Sequence, residues 1–122
     1  MAKTVLIVDD DPDILESLGS LVETGLGLRT VTAASGQAGL QILAHRTIDA
    51  VVSDFRMPGM DGCTFIRRAH ELHPRLPAIL ITAFSDVAIE EECRGMGAMA
   101  MMRKPVDPQA FEALLAQAIA AP

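Results

Sequence analysis

Short apolar runs recur along the chain at Val5-Leu6-Ile7-Val8, Leu28 to Ala33, Ala50-Val51-Val52, Ala78-Ile79-Leu80-Ile81 and Ala98 to Met102, and each has the length of a strand. Most are continuously apolar instead of alternating, which is the pattern of strands covered on both faces in a parallel sheet. Helical periodicity fills the intervals. After Asp11, Pro12 opens a helix whose Ile14, Leu15, Leu18, Leu21 and Val22 form one stripe, and Gly25 and Gly27 stop it. Ser35 caps a helix over 36–44, Asp61 caps one over 62–72, and another runs over 86–94 up to Gly95. Asp107 caps the last helix and Pro108 opens it, with Phe111, Leu114, Leu115, Ala118 and Ile119 on one face. Strand and helix thus alternate along the whole chain without repeats or linkers. That alternation predicts an α/β fold, a doubly wound five-stranded parallel sheet with five helices on both faces.

Composition narrows the class. At 122 residues, half of them apolar, the chain is expected to form one domain over 1–122. A chain of this length buries about two thirds of its unfolded surface, so neither disulfide nor structural metal is needed to hold it. No apolar run approaches the roughly 20 residues that span a bilayer, and no signal-peptide cleavage pattern follows Met1, so a cytoplasmic protein without membrane contact is expected. The net charge of -6, with basic residues scattered except at Arg67-Arg68 and Arg103-Lys104, argues against direct nucleic-acid binding. Cys63 and Cys93 fit neither a redox motif nor a zinc knuckle by spacing and read as core thiols.

In a doubly wound sheet, ligands bind outside the carboxyl ends of the strands. The predicted strands end there in Asp9-Asp10-Asp11, in Asp54, in Thr82 and in Arg103-Lys104, while the second offers only Thr32 and Ser35. Carboxylates gathered within 4 Å repel by roughly 4 kcal/mol per pair at an effective dielectric of 20. A hard, oxygen-seeking cation such as Mg²⁺ offsets that repulsion, with Asp9, Asp10 and Asp54 as candidate ligands. A solvated acidic loop accounts for many such runs, and Asp11 keeps that bland role as a helix cap. Asp9 and Asp10, however, end a buried strand where water is scarce. Asp54 is placed to serve as metal ligand or as nucleophile toward phosphorus, with Thr82 and Lys104 holding the phosphoryl oxygens by hydroxyl and ammonium.

Four pieces of sequence then carry a family resemblance: Val5 to Asp11, Asp54-Phe55-Arg56-Met57-Pro58-Gly59-Met60-Asp61-Gly62, Ile81-Thr82-Ala83, and Gly97-Ala98 with Lys104-Pro105. Across essentially its whole length the chain resembles the receiver domain of bacterial two-component response regulators. The resemblance implies a flavodoxin-like strand order of 2-1-3-4-5, and one member of that family is itself the standard illustration of the order. It implies that Asp54 accepts a phosphoryl group, that Asp9, Asp10, Asp54 and the backbone carbonyl of Arg56 hold Mg²⁺, and that Thr82 and Lys104 act on the phosphoryl group. It further implies a cis Lys104-Pro105 bond, and as partners a sensor histidine kinase or histidine phosphotransfer protein. Such a domain catalyses only its own phosphorylation and dephosphorylation. Its output then lies in trans or in a segment outside this chain. Two positions depart from the family pattern: Met101 stands where an aromatic switch residue is usual, and Val106 where Phe is favoured after Lys-Pro. Arg56 and Phe84 occupy positions that influence phosphoryl lifetime.

Rival readings exist. Asp9 and Asp11 also form the Asp-x-Asp pair of haloacid dehalogenase phosphatases, in which Asp9 would be the nucleophile and Asp11 the acid/base. Pro12 stands where Thr or Val is expected, though, and no acidic pair follows Lys104. An adaptor that is never phosphorylated would have no need of the complete Asp9, Asp10, Asp54, Thr82 and Lys104 set. His70 and His73 lie at i, i+3 but lack a third metal ligand and read as a solvated helix end. The Gly25-Leu26-Gly27 and Gly95-Met96-Gly97 triplets follow helices and read as stops, and Glu90-Glu91-Glu92 reads as a solvated face.

Overall fold

The computed structural model describes residues 2–83, 87–95 and 97–120, with the backbone alone for 87–90. Five strands, β1 (Thr4–Val8), β2 (Arg29–Ala33), β3 (Ala50–Asp54), β4 (Ala78–Thr82) and β5 (Ala100–Arg103), alternate with helices α1 (Pro12–Ser20), α2 (Gly36–His45), α3 (Gly62–Leu72), α4 (Val87–Gly95) and α5 (Pro108–Ala120). The sheet is parallel throughout, in the order β2-β1-β3-β4-β5. Two apolar layers explain why its central strands are continuously hydrophobic. Leu6, Val8, Val51 and Leu80 point into one layer with Leu43 of α2, Phe65 and Ile66 of α3 and Cys93 of α4. Val5, Ile7, Val52, Ile79 and Ile81 point into the other with Leu18 of α1 and Phe111 and Leu115 of α5. Alternate residues of one strand therefore feed opposite cores.

The predicted helix starts hold because each has a local cause. Asp11, Ser35, Asp61 and Asp107 accept hydrogen bonds from Asp13, Ala38, Thr64 and Ala110 N–H at 2.9, 3.1, 2.8 and 2.8 Å. Boundaries shift where backbone bonds outside the regular helical ladder decide them. The first helix does not continue regularly to Gly25 but widens into a π-helical segment over Leu21–Gly25. Leu28 N–H bonds back to Val22 at 3.3 Å, which delays β2 by one residue. Ala98 N–H bonds to the Cys93 carbonyl at 3.1 Å, so the last strand starts at Ala100 and runs to Arg103. The two cysteines are buried, as expected, but they are not separate thiols: Cys63 of α3 and Cys93 of α4 are bonded to each other. The predicted start of α4 at Asp86, Phe84 with its expected influence on phosphoryl lifetime, the Glu90 side chain, Met96 and the chain end at 121–122 lie outside the described residues.

Gly62 ties the fold to the end of β3. Its N–H donates to the Phe55 carbonyl at 2.8 Å, and a Cβ there would overlap the Asp54 carbonyl and approach Leu80 Cδ1 to 2.7 Å. Backbone cannot yield as a side chain does. Gly62→Ala is therefore expected to cost about 2 kcal/mol or more, read as a lower urea midpoint at unchanged slope. A loss below about 0.5 kcal/mol, the scale of a neutral surface change, would show that this approach is not tight.

Candidate functional site

The carboxyl ends of β1, β3, β4 and β5 bring Asp9, Asp54, Thr82 and Lys104 together. Asp9 and Asp54 are 2% and 8% exposed and Thr82 is 2% exposed, whereas Asp10 faces solvent at the rim. Backbone bonds beyond the regular ladders hold these ends in place. Asp9 N–H donates to Ala33 at 3.1 Å, Phe55 N–H to Ile81 at 2.8 Å, and Lys104 N–H to Thr82 at 2.9 Å. The Lys104-Pro105 peptide is cis, as expected from the resemblance.

Lys104 is the clamp of the cluster. Its Nζ lies 3.1 Å from Asp54 Oδ1 and 3.5 Å from Asp9 Oδ2. The other oxygen of Asp9, Oδ1, accepts the Asp11 N–H at 2.9 Å. Asp9, Asp10 and Asp54 each offer an oxygen to a common point, with those atoms within 4.8 Å of one another. Arg56 and Asp10 line one open cavity of about 400 Å³ beside them, together with Phe55, Met57, Pro58 and Asp61. An all-oxygen donor set with one exposed and two desolvated carboxylates fits a partly hydrated Mg²⁺. Asp11 points elsewhere, its carboxylate capping α1 through Asp13.

Burial pushes the Asp9 carboxyl above its ordinary value, with the charges of Asp54 and Asp10 adding to the rise and the Asp11 N–H and Lys104 opposing it. Asp54 is likewise raised, by burial first and Asp10 next, although Lys104 and the Phe55 N–H pull it down. For Lys104 the balance reverses. Burial alone would lower it, but the hydrogen bond and charge of Asp54, with Asp9 behind them, raise it. An ion pair thus persists in which neither carboxylate is fully compensated.

This imbalance has a pH signature. Because the folded-state values of Asp9 and Asp54 are raised, the stability they contribute is fully present below the ordinary value of 3.8 and is lost as pH climbs through the raised values. A cation competes with those protons. Saturating Mg²⁺ is therefore expected to raise Tm by several degrees near pH 7, corresponding to about 2 to 3 kcal/mol at 100-fold excess over Kd, and by almost nothing near pH 4. Equal gains at both pH values would remove the carboxylates as the cation's site.

The family model of the response regulator receiver domain matches residues 5–116, nearly the whole chain. The chain belongs to the receiver-domain family. Among curated relatives, the receiver is 40% identical over 113 residues to the DNA-binding transcriptional regulator NtrC of Klebsiella pneumoniae, covering 93% of this chain and 24% of that protein. It is 37% identical over 107 residues to the transcriptional regulatory protein GlrR of Escherichia coli, covering 88% and 24%. The receiver thus spans about a quarter of the length of these relatives. Among solved structures, it superimposes at TM-score 0.93 and 28% identity on a CheY-like receiver domain protein from Methanospirillum hungatei, covering 98% and 94% of the two chains. A putative response regulator from Chloroflexus aurantiacus gives 0.91 and 33%, covering 99% and 100%.

Other candidates of the receiver's sequence find structural work. His70 Nε2 pairs with the Leu76 carbonyl at 2.6 Å and His73 Nε2 with the Leu43 carbonyl at 2.8 Å, so neither is merely solvated and the two serve separate carbonyls. Met101 is half-buried against the α2/α3 layer, and Val106 packs on the α1/α5 layer. Beyond the Arg56 carbonyl that the resemblance implies, one backbone contact of the site was not foreseen from sequence. The Asp11 N–H on Asp9 is an Asx-type bond to a residue two positions on, and the side-chain chemistry of aspartate permits that signal to be sought in sequence. Among the described residues, no helix is long and apolar enough to cross a membrane.

Proposed function

We propose that this receiver is a phosphorylation-dependent signalling switch whose acceptor is Asp54. The observation that carries the reading is the position of Lys104, bonded to Asp54 at 3.1 Å beside two further carboxylates. A carboxylate oxygen of Asp54 attacks the phosphorus of a phosphohistidine on a sensor kinase or phosphotransfer protein. The P–N bond breaks, the imidazole departs, and an aspartyl phosphate remains. Lys104 then exchanges its partner from carboxylate to phosphoryl oxygen, and the Thr82 hydroxyl donates to another oxygen. Asp9, Asp10, Asp54 and the Arg56 carbonyl would hold Mg²⁺. When bound, that ion neutralises the carboxylates and phosphoryl oxygens as they approach.

The donor protein must seat at the rim of this site. Beside Lys104 an apolar groove of about 830 Å³ is lined by Ile14, Leu18, Leu21, Pro105 and Val106, which suits an amphipathic helix presenting the phosphohistidine. The domain over 1–122 turns over no free metabolite; it catalyses its own phosphorylation and hydrolysis, and its changed surface is read by an output domain or a partner protein. Incubation with a small phosphodonor and Mg²⁺ is expected to add one phosphoryl group to the intact mass, and chelation to abolish the gain. Uptake that survives complete chelation would overturn the role given to the carboxylate cluster.

A further inference from the structure

Cys63 stands in the first turn of α3, one residue after Gly62, and Cys93 stands near the end of α4. Their Cα atoms are 5.1 Å apart, within the span that a disulfide bridges without backbone movement. The pair is 2% and 0% exposed. Among the described side chains of α4, residues 91–95, Cys93 alone is buried, so the sulfur is the point at which this end of the helix enters the apolar layer shared with α3. The two residues are 30 positions apart, and the loop they close contains β4 with Thr82 at its end. Thr82 ends β4 and α4 begins five residues later at Val87, so a covalent tie of α4 to α3 closes a loop that holds Thr82. We propose that Cys63 and Cys93 are a reversible dithiol–disulfide modification site, whose oxidation staples α4 to α3 and restrains the response of α4. The staple stands independently of the phosphorylation reading; the restraint rests on it.

The oxidant is a small-molecule disulfide such as oxidised glutathione. One cysteine thiolate attacks a glutathione sulfur, releasing one glutathione thiol and leaving a mixed disulfide. The second cysteine attacks the protein-side sulfur of that mixed disulfide, forming the Cys63–Cys93 bond and releasing the second glutathione. Two electrons and the two thiol protons leave with the two reduced glutathiones. In a reducing compartment the dithiol dominates, and oxidation is transient. Because both sulfurs are buried, exchange proceeds through local opening of α4 and is slow compared with an exposed thiol.

The test equilibrates the wild-type chain across reduced-to-oxidised glutathione ratios, quenches with acid, labels thiols with maleimide in denaturant and reads the intact mass. The expected result is replacement of doubly labelled chains by unlabelled monomer lacking two hydrogens, with proteolysis joining the Cys63 and Cys93 peptides. The oxidised monomer is expected to melt about 10 °C higher than the reduced one, from loop closure. Two maleimides on every chain at all ratios, persistent glutathione adducts, or intermolecular dimers alone would overturn the site. In a second arm, amide shifts of α4 induced by beryllofluoride, a phosphoryl mimic, are compared in the two redox states. A reduced response in the oxidised chain supports the restraint, and an equal response overturns it. Failure of both redox states to bind the mimic would count against the phosphorylation reading while leaving the thiol count to decide the staple.

Discussion

Asp54→Asn is expected to abolish uptake of a phosphoryl group from a small donor with Mg²⁺, a loss of at least about 1,000-fold, on the scale of removing an essential reacting group. The amide replacing the carboxylate has no nucleophilic oxygen of comparable charge, and no other described carboxylate combines burial at 8% exposure with direct contact to Lys104 except Asp9. Asp9 therefore makes the decisive control. Its Oδ1 is occupied by the Asp11 N–H and its Oδ2 lies farther from Lys104, at 3.5 Å, which suits a positioning ligand better than an attacking group. Asp9→Asn is expected to weaken Mg²⁺ binding by roughly tenfold or more, about 1.4 kcal/mol, and to leave slow uptake at high metal. Retention of uptake in Asp54→Asn with complete loss in Asp9→Asn would transfer the nucleophile to Asp9 and revive the dehalogenase reading. The substitution at Asp54 carries a second expected result. Because burial raises its folded-state value, the neutral isostere suits the site better near pH 7, and the metal-free variant is expected to melt no lower than wild type.

Lys104→Ala is expected to separate metal binding from response. The ammonium ligates no metal; it competes with one for Asp9 and Asp54, so its removal leaves Mg²⁺ affinity intact or raises it up to about tenfold. Without metal, two desolvated carboxylates then lose the ammonium paired with both of them. That loss is expected to cost about 2 kcal/mol, below the value for a wholly buried pair because Lys104 is partly exposed, and Mg²⁺ restores most of it. The coupling to distant elements has no such substitute. Lys104 is bonded through its own N–H to the Thr82 carbonyl and continues from β5, so exchange of its ammonium from Asp54 to a phosphoryl oxygen pulls on β4 and on the edge strand β5. Amide shifts induced by beryllofluoride are expected to persist next to Asp54 and to vanish along β5 and α5 in the variant. A wild-type pattern in Lys104→Ala would refute the role assigned to the lysine. At Met101 an adaptable, unbranched side chain stands where the family pattern has a ring, and it is expected to loosen the same two-state element. Coupling there is expected at or below the lower end of the usual range of about 1 to 3 kcal/mol, read by calorimetry as a change in partner affinity of roughly fivefold or less on activation.

What this sequence determined by itself was whatever has a local cause. Continuous apolar runs such as Val5 to Val8 declare strands covered on both faces, because only a two-layered core hides every side chain of an extended segment. Asp11, Ser35, Asp61 and Asp107 declare helix starts because each carboxylate or hydroxyl reaches an N–H two or three residues ahead. The polar residues at strand ends, and the Asp54 to Gly62 segment in particular, made the site and the family legible. Tertiary structure alone decided the rest. Leu28 is tied back to the π-helical turn and Ala98 to the close of α4 because their N–H groups found Val22 and Cys93. His70 and His73 turned to carbonyls that the helix packing set beside them. The sharing of one lysine between Asp9 and Asp54, and the burial that raises both carboxyls in spite of it, required three strand ends to meet in a dry corner. The union of Cys63 with Cys93 had no trace in spacing, because two helices that pack side by side can place residues 30 positions apart within one covalent bond.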